Sequence, residues 1–197
     1  MRVLVACEFS GRVRDAFIAK GHDAISCDKL KSEKPGPHYL GDVRDILHSK
    51  EWDLIIAHPP CTYLALSGVQ WLKGDKERWR KMLKAVEFFN LFLDHPCSRV
   101  CVENPIIHGY AKRRLSVSDY TQKTQPYFHG HPEKKSTCLW LKGLPVLKAS
   151  SNVSHLMLGQ HGGDNNRVHT EPDSKSRQKN RSRTFEGIAK AMADQWG

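Results

Sequence analysis

The sequence predicts an α/β fold in one domain, built on a mostly parallel sheet. Short apolar runs rich in β-branched residues recur at Arg2-Val3-Leu4-Val5-Ala6, Ala24-Ile25-Ser26-Cys27, Asp53-Leu54-Ile55-Ile56-Ala57 and residues 99–102. Such runs mark strands buried on both faces. Helix-period segments separate them, at 11–20 and 75–93, and alternation of the two kinds gives βαβ units. At 197 residues the chain suffices for one such domain with a proper core.

The first strand, 2–6, feeds the turn Cys7-Glu8-Phe9-Ser10-Gly11. Ser10 is placed to cap a helix over 11–20, with Val13, Phe17 and Ile18 inward and Gly21 at its end. The second strand, 24–27, carries Asp28 at its tip. A small-residue turn followed by a terminal acid has the logic of a nucleoside-cofactor site, with close backbone approach at the turn and ribose hydroxyls on the acid. No GxGxxG is present, so an acid that merely caps a loop fits as well. Residues 29–38 read as a polar loop. Gly41-Asp42 sets a second acid at the same edge, before a short helix with Val43, Ile46 and Leu47.

The strand at 53–57 ends in His58-Pro59-Pro60-Cys61. Residues 62–74 form a long loop with Tyr63, Ser67, Gly68 and Trp71, the kind that binds or covers a ligand. Trp79, Met82, Leu83, Val86, Phe89 and Leu93 give the next helix its core face. The strand at 99–102 runs into Glu103-Asn104-Pro105. Cys61 and Glu103, forty-two positions apart, are thus expected at one carboxyl edge. Lys112-Arg113-Arg114 is either a solvated face or a phosphate contact. A strand at 137–141, a polar loop-like stretch at 148–181 with a basic run at 175–183, and a closing helix at 185–196 complete the chain.

Lysine and arginine total 31 against 21 acidic residues, for a net charge of +10. That surplus fits a polyanionic partner or simply a soluble surface. Neither a signal-peptide pattern nor a membrane-spanning apolar run occurs, and the six cysteines include no CxxC pair. A cytoplasmic protein with reduced thiols, no membrane partner and no metal is expected.

Pro59-Pro60-Cys61 after an apolar strand, followed by Glu103-Asn104, resembles the C5-cytosine DNA methyltransferase family. The order of elements agrees over nearly the whole chain. The resemblance implies a single Rossmann-like, S-adenosylmethionine-dependent methyltransferase domain, with 1–142 as catalytic core, 143–181 as a short variable or target-recognition insert, and 182–197 as a closing helix that returns to the core. It implies Cys61 as nucleophile, Glu103 at cytosine N3, and Asn104 fixing the loop. Lys135 stands where the family has an arginine, and the resemblance implies a catalytic part for it, steadying the base or a neighbouring phosphate. The cofactor S-adenosyl-L-methionine would sit on Glu8, Phe9, Ser10, Gly11, Asp28, Asp42, Pro59 and Ser182. The substrate would meet Pro60, Ser67, Thr137, Lys175, Arg177 and Arg181. The partner is DNA, either duplex, single-stranded or reduced to a nucleotide, with a protein partner as an aid to recognition. Small size is similar to phage or prophage members.

Several positions depart from the family. His58 replaces the usual glycine and Thr62 the usual glutamine. Lys135 and Thr137 replace two arginines, and the insert is short. Rival readings are an amino-methyltransferase, which uses an Asp/Asn/Ser-Pro-Pro-aromatic motif absent here, a catalytically silent nucleic-acid-binding protein on the same fold, and an enzyme acting on free pyrimidine nucleotides.

Overall fold

A computed structural model describes residues 1–157 and 177–197. The expectation for Lys175 lies outside the described residues. Seven strands form one sheet: β1 (Arg2–Ala6), β2 (Asp23–Asp28), β3 (His38–Leu40), β4 (Leu54–Ala57), β5 (Val100–Asn104), β6 (Gln122–Thr124) and β7 (Thr137–Lys142), in the order β3-β2-β1-β4-β5-β7-β6. Neighbours from β3 through β5 pair in parallel, whereas β7 runs antiparallel to both β5 and β6. One strand is therefore reversed in an otherwise parallel sheet. The order runs outward in both directions from β1 and β4. Their carboxyl ends flank a switch point, the place where open α/β sheets bind ligands.

Strand alternation divides the core into two layers. Val3, Val5, Leu54 and Ile56 pack with Val13 and Phe17 of α1 (Arg12–Ile18). Leu4, Ala6, Ile55 and Ala57 point the other way. They pack with Leu47 of α2 (Arg44–Leu47) and with Met82, Val86, Phe89 and Phe92 of α3 (Lys76–Leu93). All eight strand residues are fully buried, which accounts for their uniform apolarity. Two short helices follow, α4 (Gly109–Lys112) and α5 (Arg177–Ser182). The last, α6 (Glu186–Trp196), returns to the α1 layer through Ile188, Ala189, Met192 and Trp196. Among the described residues no helix is long and apolar enough to cross a membrane.

Several expectations need correction. Glu103 and Asn104 lie inside β5, because antiparallel pairing with β7 continues as Glu103↔Leu139 and Asn104↔Cys138 after pairing with β4 ends at Ala57↔Val102. Helix α1 starts at Arg12 and ends at Ile18, which is exposed, and its cap residue is Gly11 at φ +73°. The first turn is satisfied by Glu8, whose Oε1 accepts from Val13 N at 3.0 Å, while Ser10 Oγ accepts from Arg12 N at 3.3 Å. On α3 the buried stripe passes through Phe92, and Leu83 is exposed. Part of the basic run, expected as loop, is helix α5, and Ser182 ends that helix.

The loop expected at 29–38 is ordered and closes with β3. Its organiser is Arg14, which is fully buried. The guanidinium donates to Ser26 Oγ at 3.2 Å, to Ser32 Oγ at 3.1 Å, and to the carbonyls of Lys34, Pro35 and Pro37 at 3.3, 3.0 and 3.4 Å. Gly36, at φ +137°, approaches so closely that a Cβ there would lie 3.0 Å from the guanidinium carbon. One buried cation thus replaces an apolar core beneath a polar loop.

Candidate active site

The site is built where β4 and β5 end. His58 N donates to Ala6 O at 2.9 Å, extending the ladder one residue beyond Ala57. Pro59 and Pro60 then stop it, since neither has an N–H to donate. Behind Cys61 the chain turns back, with Leu64 N and Ala65 N both donating to Cys61 O at 2.9 Å. The loops after the two strands are stitched together by Leu66 N to Ile106 O at 2.8 Å and His108 N to Leu64 O at 3.0 Å. Asn104 Nδ2 donates to Pro59 O at 2.7 Å. Cys61 and Glu103 therefore share one edge, as the sequence leads one to expect, and Asn104 ties the two turns.

His58, read from the sequence only as a replaced glycine, is hydrogen-bonded to the candidate acid. Its Nδ1 lies 3.0 Å from Glu103 Oε2, with both side chains nearly inaccessible. Burial alone would push the Glu103 carboxyl up. The bond to His58 and the charges of Lys135 and His58 outweigh burial and hold it below the usual carboxylate range. The half-buried Cys61 thiol is pushed up, first by burial and then by the Glu103 charge, with Lys135 and Arg181 pulling the other way. Burial likewise lowers Lys135, against the pull of Glu103 and Cys61. Its ammonium donates to the carbonyls of Arg181 at 2.8 Å and Arg183 at 3.3 Å. A small cleft beside these groups is lined by Glu103, Lys135, Thr137, Thr184, Phe185 and Ile188. Thr137 is buried there with its hydroxyl on Lys135 O.

Among the described residues, three buried polar atoms at this edge have no hydrogen-bond partner: His58 Nε2, Asn104 Oδ1 and Glu8 Oε2. Such a group costs about 1–3 kcal/mol when nothing satisfies it, so three together mark a place where a ligand would be welcome.

The β1–β3 half of the edge carries the expected cofactor residues. Glu8 Oε1 also accepts from Ser10 Oγ at 2.7 Å. Phe9 is buried beneath Lys179, whose Nζ is 5.1 Å from the ring centre. Gly11 passes so near Arg14 that a Cβ would lie 2.6 Å from the guanidinium. Asp28 accepts from Leu30 N at 2.8 Å, and burial lifts its carboxyl. Asp42 accepts from Arg44 N at 3.1 Å and pairs with Lys29 and Arg44, each at 3.0 Å, which holds it low. Turn and acids fit a nucleoside cofactor, with Asp42 the most committed to the protein itself.

Other expected residues are less central. Pro59 is buried and Pro60 exposed; Ser67 sits exposed in the 3-10 turn Leu66–Leu72. Ser182 is exposed, with its hydroxyl on Lys179 O. Arg177 and Arg181 lie in α5, at the start of a strap that crosses this edge. Arg183 grips Glu33 with two bonds of 2.7 Å, and Lys179 adds an ion pair at 3.0 Å, so Glu33 falls to about 2. Arg12 donates to Thr184 O at 2.8 Å. The resemblance leads one to expect the segment from Ser182 near the cofactor, and Arg183, Thr184 and Phe185 do meet this edge; Glu33 opposite has no local signal, since its bond to Arg183 spans 150 positions. Among the described residues no cluster of three or more His, Cys, Asp or Glu could hold a metal.

No family model and no curated protein matches the chain. Among solved structures it is similar to a candidate DNA modification methyltransferase encoded within an E. coli prophage, at 17% identity and a TM-score of 0.47, over 74% of this chain and 49% of that one. The chain spans about half the length of that structure. The functional reading therefore rests on the geometry of the site.

Proposed function

We propose that this protein is a Rossmann-like, S-adenosylmethionine-dependent methyltransferase that modifies C5 of cytosine in DNA through a covalent bond to Cys61. The observation that carries the reading is the joining of a Pro-Pro-Cys turn and a Glu-Asn strand end at one carboxyl edge, with Asn104 Nδ2 on Pro59 O at 2.7 Å. The strand order supports it: the switch point between β1 and β4 has the Glu8–Gly11 turn, which would take the nucleoside, beside that edge. When bound, S-adenosylmethionine supplies an electrophilic methyl group. Phe9, Gly11 and Asp28 are the residues that would hold it.

Cytosine C5 is a weak nucleophile, and the chain's groups are suited to change that. As Cys61 Sγ bonds to C6, the C5–C6 π pair moves toward C4, and N3 takes a proton. Glu103, whose carboxyl is held low in the free protein, would hold at N3 a proton taken up from solvent as the base binds, and its buried position keeps that bond strong. The thiol proton leaves to solvent as the thiolate forms. C5, now enamine-like, is the atom that would take the methyl group the cofactor supplies; water would then carry the C5 proton to solvent, the C5–H pair would re-form C5=C6 and expel the Cys61 thiolate, and the N3 proton would pass back through Glu103. Burial and the Glu103 charge disfavour the Cys61 thiolate in the free protein, and the charges of Lys135 and Arg181 favour it. On duplex DNA the base must be flipped out of the stack. Lys135, engaged with strap carbonyls, would act through its charge on Cys61 and Glu103 rather than by touching the base.

The test is product analysis. DNA incubated with the protein and S-adenosylmethionine is digested to nucleosides and examined by mass spectrometry. The wild type is expected to produce 5-methylcytosine and the Cys61→Ser variant none. Methyl groups on an exocyclic nitrogen, or equal product from the variant, would overturn the reading. Cofactor binding without product on DNA or nucleotides would favour the silent, binding-only alternative.

A further inference from the structure

We infer that the face formed by Tyr63, Arg78, Trp79, Tyr110, Arg113 and Arg114 is the nucleic-acid platform of this protein, holding the DNA backbone beside the target base. The choice of DNA rests on the proposed function; the platform itself rests on four observations independent of the chemistry. Three guanidinium groups lie over three rings: Arg78 over Tyr63 at 5.2 Å, Arg113 over Tyr110 at 5.4 Å and Arg114 over Trp79 at 5.8 Å. Two of the rings meet edge to face, Trp79 and Tyr110, at 5.2 Å and 66°.

Among the described residues, none of these three arginines forms an ion pair with a carboxylate. Their neighbours do: Arg80 pairs with Glu77, and Lys112 with Asp119. Among the described residues these three charges are thus left without a carboxylate, whereas Arg80 and Lys112 beside them are paired.

The face is also rigid. Besides the backbone bonds that stitch the two loops, His108 bridges to Tyr63 O at 3.1 Å and caps α4 through Ala111 N at 3.2 Å. Arg114 donates to Tyr110 O at 2.6 Å. Preorganised donors lose little entropy on binding.

Finally, the face adjoins the nucleophile. Arg78 Nη2 donates to Thr62 O at 3.3 Å, and Thr62 follows Cys61 directly. Beyond it, Leu66 and Trp71 stand 51% and 63% exposed on the same loop, apolar groups of the kind that lie against unstacked bases. Guanidinium groups held over rings keep further N–H donors for phosphate oxygens, and the planar groups beside them accept unstacked bases. A peptide carboxylate would use the charge but not the planar faces, so the combination favours a nucleic acid.

The experiment is fluorescence anisotropy with a labelled cytosine-containing oligonucleotide, as duplex and as single strand, over a range of salt. Wild type is compared with Arg78→Gln/Arg113→Gln/Arg114→Gln. The control is Lys20→Gln/Lys50→Gln/Lys148→Gln, which removes the same charge at the amino edge of the sheet. Melting curves verify that both fold. The platform variant is expected to bind about tenfold more weakly or worse, with a salt slope shallower by about two to three, since each lost phosphate contact removes about 0.7–0.9. The control is expected to stay near wild type. Equal losses in the two variants, or no loss in the first, would overturn the platform. Wild-type protein that ignores DNA, or prefers an RNA of the same sequence, would overturn the choice of DNA. Binding through this face by a protein that makes no 5-methylcytosine would sink the proposed reaction and leave the platform standing.

Discussion

The two halves of the carboxyl edge are held together by different forces. Around Cys61 and Glu103 the joints are short bonds to backbone and one buried His–Glu pair: Asn104 to Pro59 O at 2.7 Å, and His58 to Glu103 at 3.0 Å. Around Phe9, Asp28 and Asp42 the joints are charges: buried Arg14 under the loop, and the partly exposed Glu33–Arg183–Lys179 cluster across it. Backbone bonds and burial are indifferent to salt, whereas exposed ion pairs are screened. The joints around Cys61 and the bonds of buried Arg14 are thus expected to hold at any salt, whereas the strap's grip on the loop at Glu33 is expected to weaken as salt rises.

The largest expected effect breaks the first half chemically. Glu103→Gln should lower the methylation rate about 10²–10⁴-fold, the usual reach of a general acid, with cofactor affinity unchanged. Unchanged rates would remove Glu103 from the reaction. Next, Arg14→Met should break the second half structurally. It removes bonds to six groups, five in the loop and β2 and the carboxylate of Asp15, from a fully buried site, and should cost about 3 kcal/mol in urea unfolding. Cofactor affinity should fall further than the reactivity of Cys61 toward an alkylating reagent. Equal falls in both would mean that the halves are not separable.

A third variant sharpens the comparison through pH. Glu103 is held low by His58 against burial. In His58→Gly burial acts with less opposition, so the carboxyl should titrate at higher pH and the pH limb it sets in the methylation rate should move up. An unmoved limb would show that His58 only fills space. The smallest effect concerns the strap. The Glu33 carboxyl is lowered from 4.5 to about 2, so its contribution to folding is present above about 4.5 and is lost as pH falls through about 2. Glu33→Gln should erase that dependence and speed amide exchange in residues 177–184 several-fold at low salt, with little difference at high salt. Exchange identical to wild type would show that other contacts hold the strap.

What the sequence made legible follows from the same contrast. Buried strands announce themselves by continuous apolar runs, so β1, β2, β4, β5 and β7, and with them the meeting of Cys61 and Glu103, could be read directly. β3 has three half-exposed or exposed residues, His38-Tyr39-Leu40, and β6 only Gln122-Lys123-Thr124; neither shows a period. The ordering of 29–37 by Arg14, and its tie to Arg183, is a matter of side chains meeting across 12 to 150 positions, which no local pattern encodes. His58 stood out as an unusual residue before Pro-Pro, but its bond to Glu103 spans 45 positions and needed the sheet register to appear.

The most direct measurement of the central claim is covalent trapping. Protein, S-adenosylmethionine and DNA carrying 5-fluorocytosine in many contexts are incubated together, and the adduct is digested and mapped by mass spectrometry. Fluorine at C5 cannot leave as a cation, so a working enzyme remains bonded to its substrate at C6. An adduct on Cys61 that is absent in Cys61→Ser is the predicted result. An adduct on any of the other five cysteines, or methyl transfer to DNA with no adduct at all, would contradict it.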